Sequence, residues 1–369
     1  MRIKLGDITK YSKGVQINGD DLIADGKYIY LNGGINPSGR WNAANVVENT
    51  VTISEGGNSS GYINYITEPF WCGAHCYYLY DGPKNTRYLY YALKSQQERL
   101  FAIRSGACMP NIKKSDLGNF EFEYNFDEKI QNDIVDCLDK VQRIIDARQQ
   151  ELQKLYELIK ARFVEMFGEP EFNTKAWPIQ TLDKLCNAGS SKRIYQNEQS
   201  REGVPFWRIS DLVSKMDTGT ADSGLFIPEE RYMELKRAGL VPIPGDILVT
   251  SRGTLGRCYI IKDEDRFYFQ DGMISWLGNY ADGITPLYLQ YLFTMPGFRK
   301  QIDSMQAGST VAYLSIAMLK KLRVMIPPLE MQKAFASFVD QLDKSKVVVQ
   351  KALDEVQLLF DSLMQQYFG

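Results

Sequence analysis

The stretch GACMPNIKKSDLGNFEF at 106–122 recurs as GSTVAYLSIAMLKKLRV at 308–324, and each copy is followed by a helical run of ~40 residues that ends in Phe-Gly. A chain that repeats itself once is constrained to fold as two copies of one unit. The earlier parts align as well: NTVTISEGGNSSGYINYI (49–66) matches GDILVTSRGTLGRCYII (245–261), and Leu5-Gly6-Asp7-Ile8 matches Leu182-Asp183-Lys184-Leu185. The offset between copies grows from 177 at Leu5/Leu182 to 196 near Val51/Ile247 and 201 at Gly168/Gly369, so most extra length of the second copy falls in Met216–Gly245. Shared cores with a divergent insertion imply one scaffold and two binding surfaces, because loops carry recognition while scaffolds carry packing.

With 369 residues and 44% hydrophobic content, the chain can bury two cores of ordinary domain size. The N-terminal MRIKLGDITK has no apolar run of signal-peptide length, and no stretch reaches the length of a membrane span, so a cytoplasmic protein without membrane association is expected. The six scattered cysteines then read as small buried hydrophobes and not as a disulfide framework. The net charge is −2, but the helical runs 127–169 and 329–369 carry −3 and −2, leaving the globular portions at +3. That balance permits contact with DNA without requiring it.

The β-branched and aromatic bias of Tyr28–Leu31, Val51–Ser54, Gly61–Ile66 and Ile247–Thr250 predicts strands, while Arg87–Phe101 and Pro286–Met295 have the spacing of short amphipathic helices. Arg252-Gly253-Thr254-Leu255-Gly256 lies between two predicted strands. It is either a simple hairpin turn or a glycine-permitted loop that lets backbone approach a ligand.

In the long runs, Ile134, Cys137, Val141, Ile145, Arg148, Leu152, Leu155, Ile159, Arg162 and Met166 recur at steps of three and four. Adding 201 gives Phe335, Phe338, Leu342, Lys346, Val349, Leu353, Val356, Phe360, Leu363 and Tyr367. Two coiled-coil seams in one register follow, on helices on the order of 60 Å long. Further apolar residues lie off that seam: Val135, Leu138, Ile144, Leu158 and Phe163 in the first run, and Val339, Val347, Val348, Leu358 and Leu359 in the second. A two-stranded seam uses about two positions in seven, so these residues form a second face, covered either by a helical partner or by the globular domains folding back.

Enzyme chemistry finds little support. The one histidine, His75, has no evident nucleophile partner, and Cys72-Gly73-Ala74-His75-Cys76 lacks the second ligand pair of a structural zinc site, so no metal is expected. There is no Asn-Pro-Pro-aromatic or Asp-Pro-Pro-aromatic methyltransferase motif. Gly34 to Gly39 is followed by Arg40-Trp41 in place of the Lys-Ser/Thr of a phosphate loop. Glu234-Leu235-Lys236 downstream of Asp222 superficially resembles a nuclease core but reads as a solvated helix face.

The order of strand-rich domain, Gly106 to Leu117 or Gly308 to Leu319, Pro327-Pro328-Leu329-Glu330-Met331-Gln332 and long helix, all repeated, resembles the specificity subunit of type I DNA restriction-modification enzymes. Gly245-Asp246-Ile247-Leu248 with Gly253-Thr254-Leu255-Gly256 belongs to the same resemblance. The first copy departs from it, with Phe126-Asp127-Glu128-Lys129-Ile130-Gln131 lacking the prolines and Glu55-Gly56-Gly57-Asn58 replacing the Arg-Gly-Thr loop. The resemblance implies an α+β protein: two similar strand-rich α/β target recognition domains at 1–126 and 170–328, joined and separated by two long antiparallel coiled-coil helices at 127–169 and 329–369 in a pseudo-two-fold repeat. It implies a non-catalytic subunit that reads one half of a bipartite, asymmetric double-stranded DNA site with each domain. It also implies two modification (methyltransferase) subunits docked on the helices and restriction subunits as further partners. S-adenosylmethionine, ATP and Mg would sit on those partners, with no cofactor in this chain. A specificity subunit of another modification system and a non-DNA coiled-coil adaptor are the alternatives.

Base edges and phosphates are met by Arg, Lys, amides and hydroxyls. The DNA-binding candidates in the first domain are therefore Ser12, Lys13, Gln16, Asn18, Asn32, Asn36, Arg40, Asn58, Ser59 and Ser60. In the second they are Ser190, Ser191, Lys192, Arg193, Tyr195, Gln196, Asn197, Arg208, Ser210, Arg252, Thr254 and Arg257. The partner-binding candidates are Val135, Leu138, Ile144, Leu158, Phe163, Val339, Val348, Leu358 and Leu359.

Overall fold

The computed structural model describes residues 1–106, 108–306 and 312–369; the start of the second repeat motif, 308–311, therefore lies outside the described residues. The chain divides into a first compact unit, Met1–Gln150 with Val349–Gly369, and a second, Glu151–Val348.

In the first unit the strands are β1 (Arg2–Lys4), β2 (Lys10–Lys13), β3 (Tyr28–Leu31), β4 (Gly39–Trp41), β5 (Thr50–Ser54), β6 (Ile63–Ile66), β7 (Trp71–Cys72), β8 (Cys76–Tyr80) and β9 (Glu121–Glu123). The second unit has β10 (Ile179–Thr181), β11 (Asn187–Gly189), β12 (Val204–Trp207), β13 (Phe226–Ile227), β14 (Ile247–Thr250), β15 (Cys258–Ile260), β16 (Tyr268–Phe269), β17 (Ile274–Gly278) and β18 (Arg323–Met325). The repeat is then exact at the level of pairing. A β1-β9 ribbon, a β2-β8-β5-β6 sheet and a β4-β3-β7 sheet in one unit match β10-β18, β11-β17-β14-β15 and β13-β12-β16 in the other. Even the parallel pairing of Tyr30 with Trp71 is matched by Phe206 with Tyr268.

The four predicted strands all form, because their β-branched and aromatic side chains supply the buried faces. The predicted helix 87–101 is two helices, Thr86–Lys94 and Gln97–Ala102, since Ser95 turns its hydroxyl onto the Ala92 carbonyl and ends the first. Pro286–Leu292 is the matching helix of the second unit, capped by the Thr285 hydroxyl accepting from Tyr288 N–H. The second unit has two helices without a counterpart among the described residues of the first, Ile209–Thr218 and Glu229–Arg237; the latter lies within the expected insertion Met216–Gly245, while the former begins before it, so the extra length starts earlier than the offset placed it. Glu234-Leu235-Lys236 lies in Glu229–Arg237, with Leu235 buried.

Two 40-residue helices, αL1 at Glu128–Phe167 and αL2 at Leu329–Phe368, complete the units. Their starts differ as their sequences do. Asp127 caps the first by accepting from Lys129 and Ile130 N–H, whereas Pro327-Pro328 leads into the second. Within each unit the helices run antiparallel. In the second, Phe163 and Phe167 meet Phe335 at 5.5 and 5.4 Å between ring centroids, and the earlier Tyr156 meets the later Lys346. In the first, Cys137 near the start of αL1 pairs with Tyr367 at the end of αL2. The seam residues are buried or half-buried throughout, including Arg148, Arg162 and Lys346; the Arg162 guanidinium lies over the Phe338 ring and the Lys346 amine over the Tyr156 ring.

The globular domains fold back over part of the second apolar face, so three expected partner-binding residues are core residues instead. Leu138 is buried against Leu89 and Tyr124 of the first unit's core, and Phe163 and Val339 against Tyr288 and Leu292 of the second. Leu138 and Val339 are 201 residues apart, so this is a repeated feature. Val135 is half-buried against the first core. Ile144 (46% exposed), Leu158 (48%), Val347 (68%), Val348 (69%), Leu358 (70%) and Leu359 (50%) stay uncovered.

Candidate nucleic-acid interface

Each unit opens a polar cleft at one end of its four-stranded sheet, where the segment leaving β5 or β14 meets the loop before the next short helix. The same backbone bond closes the junction in both: Ile112 N–H donates to Glu55 O at 2.9 Å, and Leu314 N–H to Ser251 O at 3.0 Å. The side chains around this common junction differ.

In the first unit a cleft of about 460 Å³ is lined by Lys13, Glu55, Tyr77, Asn111, Lys113 and Lys114. Glu55, 16% exposed, is shared between Lys13 Nζ at 2.6 Å and His75 Nδ1 at 3.3 Å. Burial, with the charge of Glu55 adding to it, pushes the Tyr77 hydroxyl up to about 12, so it stays protonated and donates to Ile112 O. Lys113 and Lys114 add two exposed cations. Cys72 and Cys76 are buried free thiols, the Cys72 thiol pushed up by its hydrogen bond with Cys76 and by burial. No metal-binding cluster is present among the described residues.

In the second unit a cleft of about 540 Å³ is lined by residues that include Arg193, Gln199, Arg252, Gln270, Asp271 and Tyr313. Arg252 lies over the Tyr313 ring, 4.9 Å from its centroid. Its loop, bounded by β14 and β15, turns through left-handed glycines, Gly253 at φ 66° and Gly256 at φ 72°. A Cβ on Gly256 would meet Ile302 Cδ1 at 2.8 Å, so the loop is both a tight turn and a close packing contact. Thr250 Oγ1 donates to Thr254 O and accepts from Arg257 N–H, fixing the loop from inside.

Several expected DNA contacts are otherwise engaged. Ser60 is fully buried with its hydroxyl on Glu55 O, and Ser191 is buried with its hydroxyl on Phe269 O. Both belong to the scaffold, because a buried hydroxyl must find an internal acceptor. Arg40 spends Nε and one terminal nitrogen on Gly26 O and Lys27 O, clamping the turn before β3. Arg257 is forked on Asp217, whose carboxyl its hydrogen bond holds below the ordinary range. Ser59 donates to Gly33 O, and Ser190 to Ile274 O. Arg208 and Ser210 stand at the start of helix Ile209–Thr218, both on Asp211. Asn32 accepts from His75 N–H, Asn18 donates to Asp21 and Ser12 pairs with the Tyr80 hydroxyl. Gln16, Asn18, Asn36, Asn58, Lys192, Arg193, Tyr195, Gln196, Asn197 and Thr254 are exposed.

The structure thus brings together Lys13 in one cleft and Arg193 with Arg252 in the other. The residues that sequence reasoning passed over are Glu55, Asn111, Lys113 and Lys114, then Gln199, Gln270, Asp271 and Tyr313. Their positions in the repeat were the available clue, since Asn111 and Tyr313 sit one residue before the matched Ile112 and Leu314.

The fold is thus one strand-rich unit built twice, together with two long paired helices. The family model for the type I restriction modification DNA specificity domain matches residues 1–157 and 174–357, and the chain belongs to that family. A type I specificity subunit of Mycoplasma genitalium is 30% identical over 207 residues, and one of Mycoplasma pneumoniae 34% identical over 157. These matches cover 52% and 42% of this chain but only 53% and 40% of the relatives, so the chain spans about half the length of those relatives. A specificity subunit of Haemophilus influenzae is 25% identical over 307 residues, covering 79% of this chain and 74% of its own. The crystal structure of the type I restriction-modification S subunit from M. genitalium shares the fold, with TM-score 0.59 at 22% identity, covering 100% of this chain and 96% of that one.

Proposed function

We propose that this chain is the sequence-specific DNA-recognition subunit of a type I restriction-modification system, reading a bipartite, asymmetric duplex site through its two units. The observation that carries the reading is the closed junction built twice on one scaffold, with Lys13, Glu55 and Asn111 at one copy and Arg252 and Tyr313 at the other. One backbone geometry with two sets of side chains is what an asymmetric site requires, because base identity is read by side-chain donors and acceptors.

In this reading the chain does no chemistry, acts in the cytoplasm and needs no cofactor of its own; S-adenosylmethionine, ATP and Mg belong to its partners. No helix among the described residues is long and apolar enough to cross a membrane. Two modification subunits dock along the long helices, one per unit, on Ile144, Leu358 and Leu359 of the first and Leu158, Val347 and Val348 of the second. Restriction subunits join through that complex.

The test is selection of bound duplexes from a randomised pool by the full chain with its modification subunits. The expected outcome is an enriched two-part motif whose binding weakens steeply with salt. Failure to enrich any motif would refute the reading and leave a coiled-coil adaptor; an enriched motif with a differently built methyltransferase would place the chain in another modification system.

A further inference from the structure

The two units present one loop position with contrasting chemistry. After β2 the chain passes through Gln16, buries Ile17 and closes a 3-10 turn at Gly19–Asp21; after β11 it passes through Arg193, buries Ile194 and closes the matching turn at Gln196–Glu198. The same amides close both turns, Asp21 N–H on Asn18 O and Glu198 N–H on Tyr195 O. The offset of 177 set by Leu5 and Leu182 carries Gln16 onto Arg193 directly.

Arg193 is held in a particular way. Its Nε donates to Asp271 Oδ2 at 2.9 Å, and its two terminal nitrogens make no hydrogen bond among the described residues. Asp271 is 22% exposed on its side chain and Arg193 64%, so a largely covered carboxylate anchors a guanidinium that stays exposed at the cleft both residues line. Among the other charged candidates Arg257 has its fork closed on Asp217 and Arg40 is spent on carbonyls, while Arg208 also sets its Nε on a carboxylate, Asp211 Oδ2, but at 3.5 Å and only three residues along its own segment. A carboxylate beside a phosphate surface works against non-specific binding, so an aspartate here favours orientation at the expense of raw attraction. An anchored guanidinium with both terminal nitrogens open matches the O6 and N7 acceptors of guanine. Gln16 uses one N–H on Ile17 O at 3.0 Å, which leaves its other N–H and its Oε1 to match N7 and the N6 amino group of adenine.

We propose that Arg193 and Gln16 are the equivalent base-reading residues of the two units, Arg193 taking guanine and Gln16 adenine, with Asp271 the positioning residue for Arg193. This rests on the DNA-specificity reading and names the bases that distinguish the two half-sites at one equivalent step.

The test repeats the duplex selection with the full chain and its modification subunits, comparing wild type with Arg193→Ala, Gln16→Ala and Asp271→Asn. Arg193→Ala should erase a guanine preference at one position of one half-site, a loss of about 5- to 150-fold at ~1–3 kcal/mol per bidentate pair and 1.4 kcal/mol per tenfold. Gln16→Ala should erase an adenine preference in the other half-site only. Asp271→Asn should weaken the same guanine preference as Arg193→Ala while non-specific affinity holds or rises, an effect that a merely structural loss would not produce. Weakening spread evenly over all sequences, or motifs unchanged in all three variants, would overturn the assignment. A wild-type protein that enriches no motif would instead refute the specificity reading on which it rests.

Discussion

Replacing Gln332 by alanine probes how the first turn of each long helix is locked to the segment that packs on it. Gln332 is 1% exposed and sits one turn into αL2. Its Oε1 accepts from Thr285 N–H at 2.9 Å and Thr285 Oγ1 at 3.1 Å, and its Nε2 donates to Gly283 O at 2.8 Å and Pro327 O at 2.9 Å. Its repeat partner Gln131, 201 residues earlier and 4% exposed, makes two such bonds, to Tyr124 Oη at 3.3 Å and Asn125 O at 2.6 Å. At about 1 kcal/mol net per buried hydrogen bond, Gln332→Ala should cost about 4 kcal/mol and Gln131→Ala about 2. Thr285 also caps the helix at Pro286, so the larger loss should open that segment first. Hydrogen exchange by mass spectrometry on the full chain reads this as opening free energy in residues 283–292, a local measure that does not require two-state unfolding. Equal costs at the two glutamines, or a cost under about 1 kcal/mol at Gln332, would refute the claim that this side chain is the lock.

Phe163→Ala should destabilise the second unit by about 3–5 kcal/mol, measured by denaturant unfolding, because the ring is fully buried against Phe167, Tyr288 and Phe335. Leu158→Asp with Leu359→Asp should leave stability within about 0.5 kcal/mol, since both side chains are about half exposed, yet abolish the complex with modification subunits in light scattering. Lys94 gives a pH test. Burial lowers its amine from 10.5 to about 8, so the unfolded chain binds more protons between those values and stability should rise with pH from about 8. Above about 10 the buried Tyr77 and Tyr124, raised to about 12, act in the opposite sense. The difference in melting temperature between wild type and Lys94→Met should therefore shift in favour of wild type from pH 7.5 to 9.5; a constant difference would refute the burial argument.

Much of the architecture was legible because it repeats. Apolar periodicity set both long helices to within a few residues, and the drifting offset located part of the insertion: Glu229–Arg237 lies inside Met216–Gly245, whereas Ile209–Thr218 begins ahead of it. The candidate interface was legible in residue type but not in role. Arg40 and Arg257 look as available in sequence as Arg193, and only the carbonyls of Gly26 and Lys27 and the carboxylate of Asp217 distinguish them. Likewise a hydroxyl such as Ser60 or Ser191 carries no sign in sequence of the buried carbonyl it serves.

Sequence alone determined the two-unit repeat, four of the strands, the lengths of the two long helices and the presence of a surplus apolar face, since each depends on local periodicity and on the chain's similarity to itself. Tertiary structure decided which of those apolar residues stay exposed, covering Leu138, Phe163 and Val339 while leaving Leu158, Val348 and Leu359 bare. It also decided which polar side chains are free, bringing Asp271 to Arg193 across 78 residues and Tyr313 beneath Arg252. The reason is physical: periodicity records which face is apolar, but burial and hydrogen-bond partnership depend on what distant segments bring to that face.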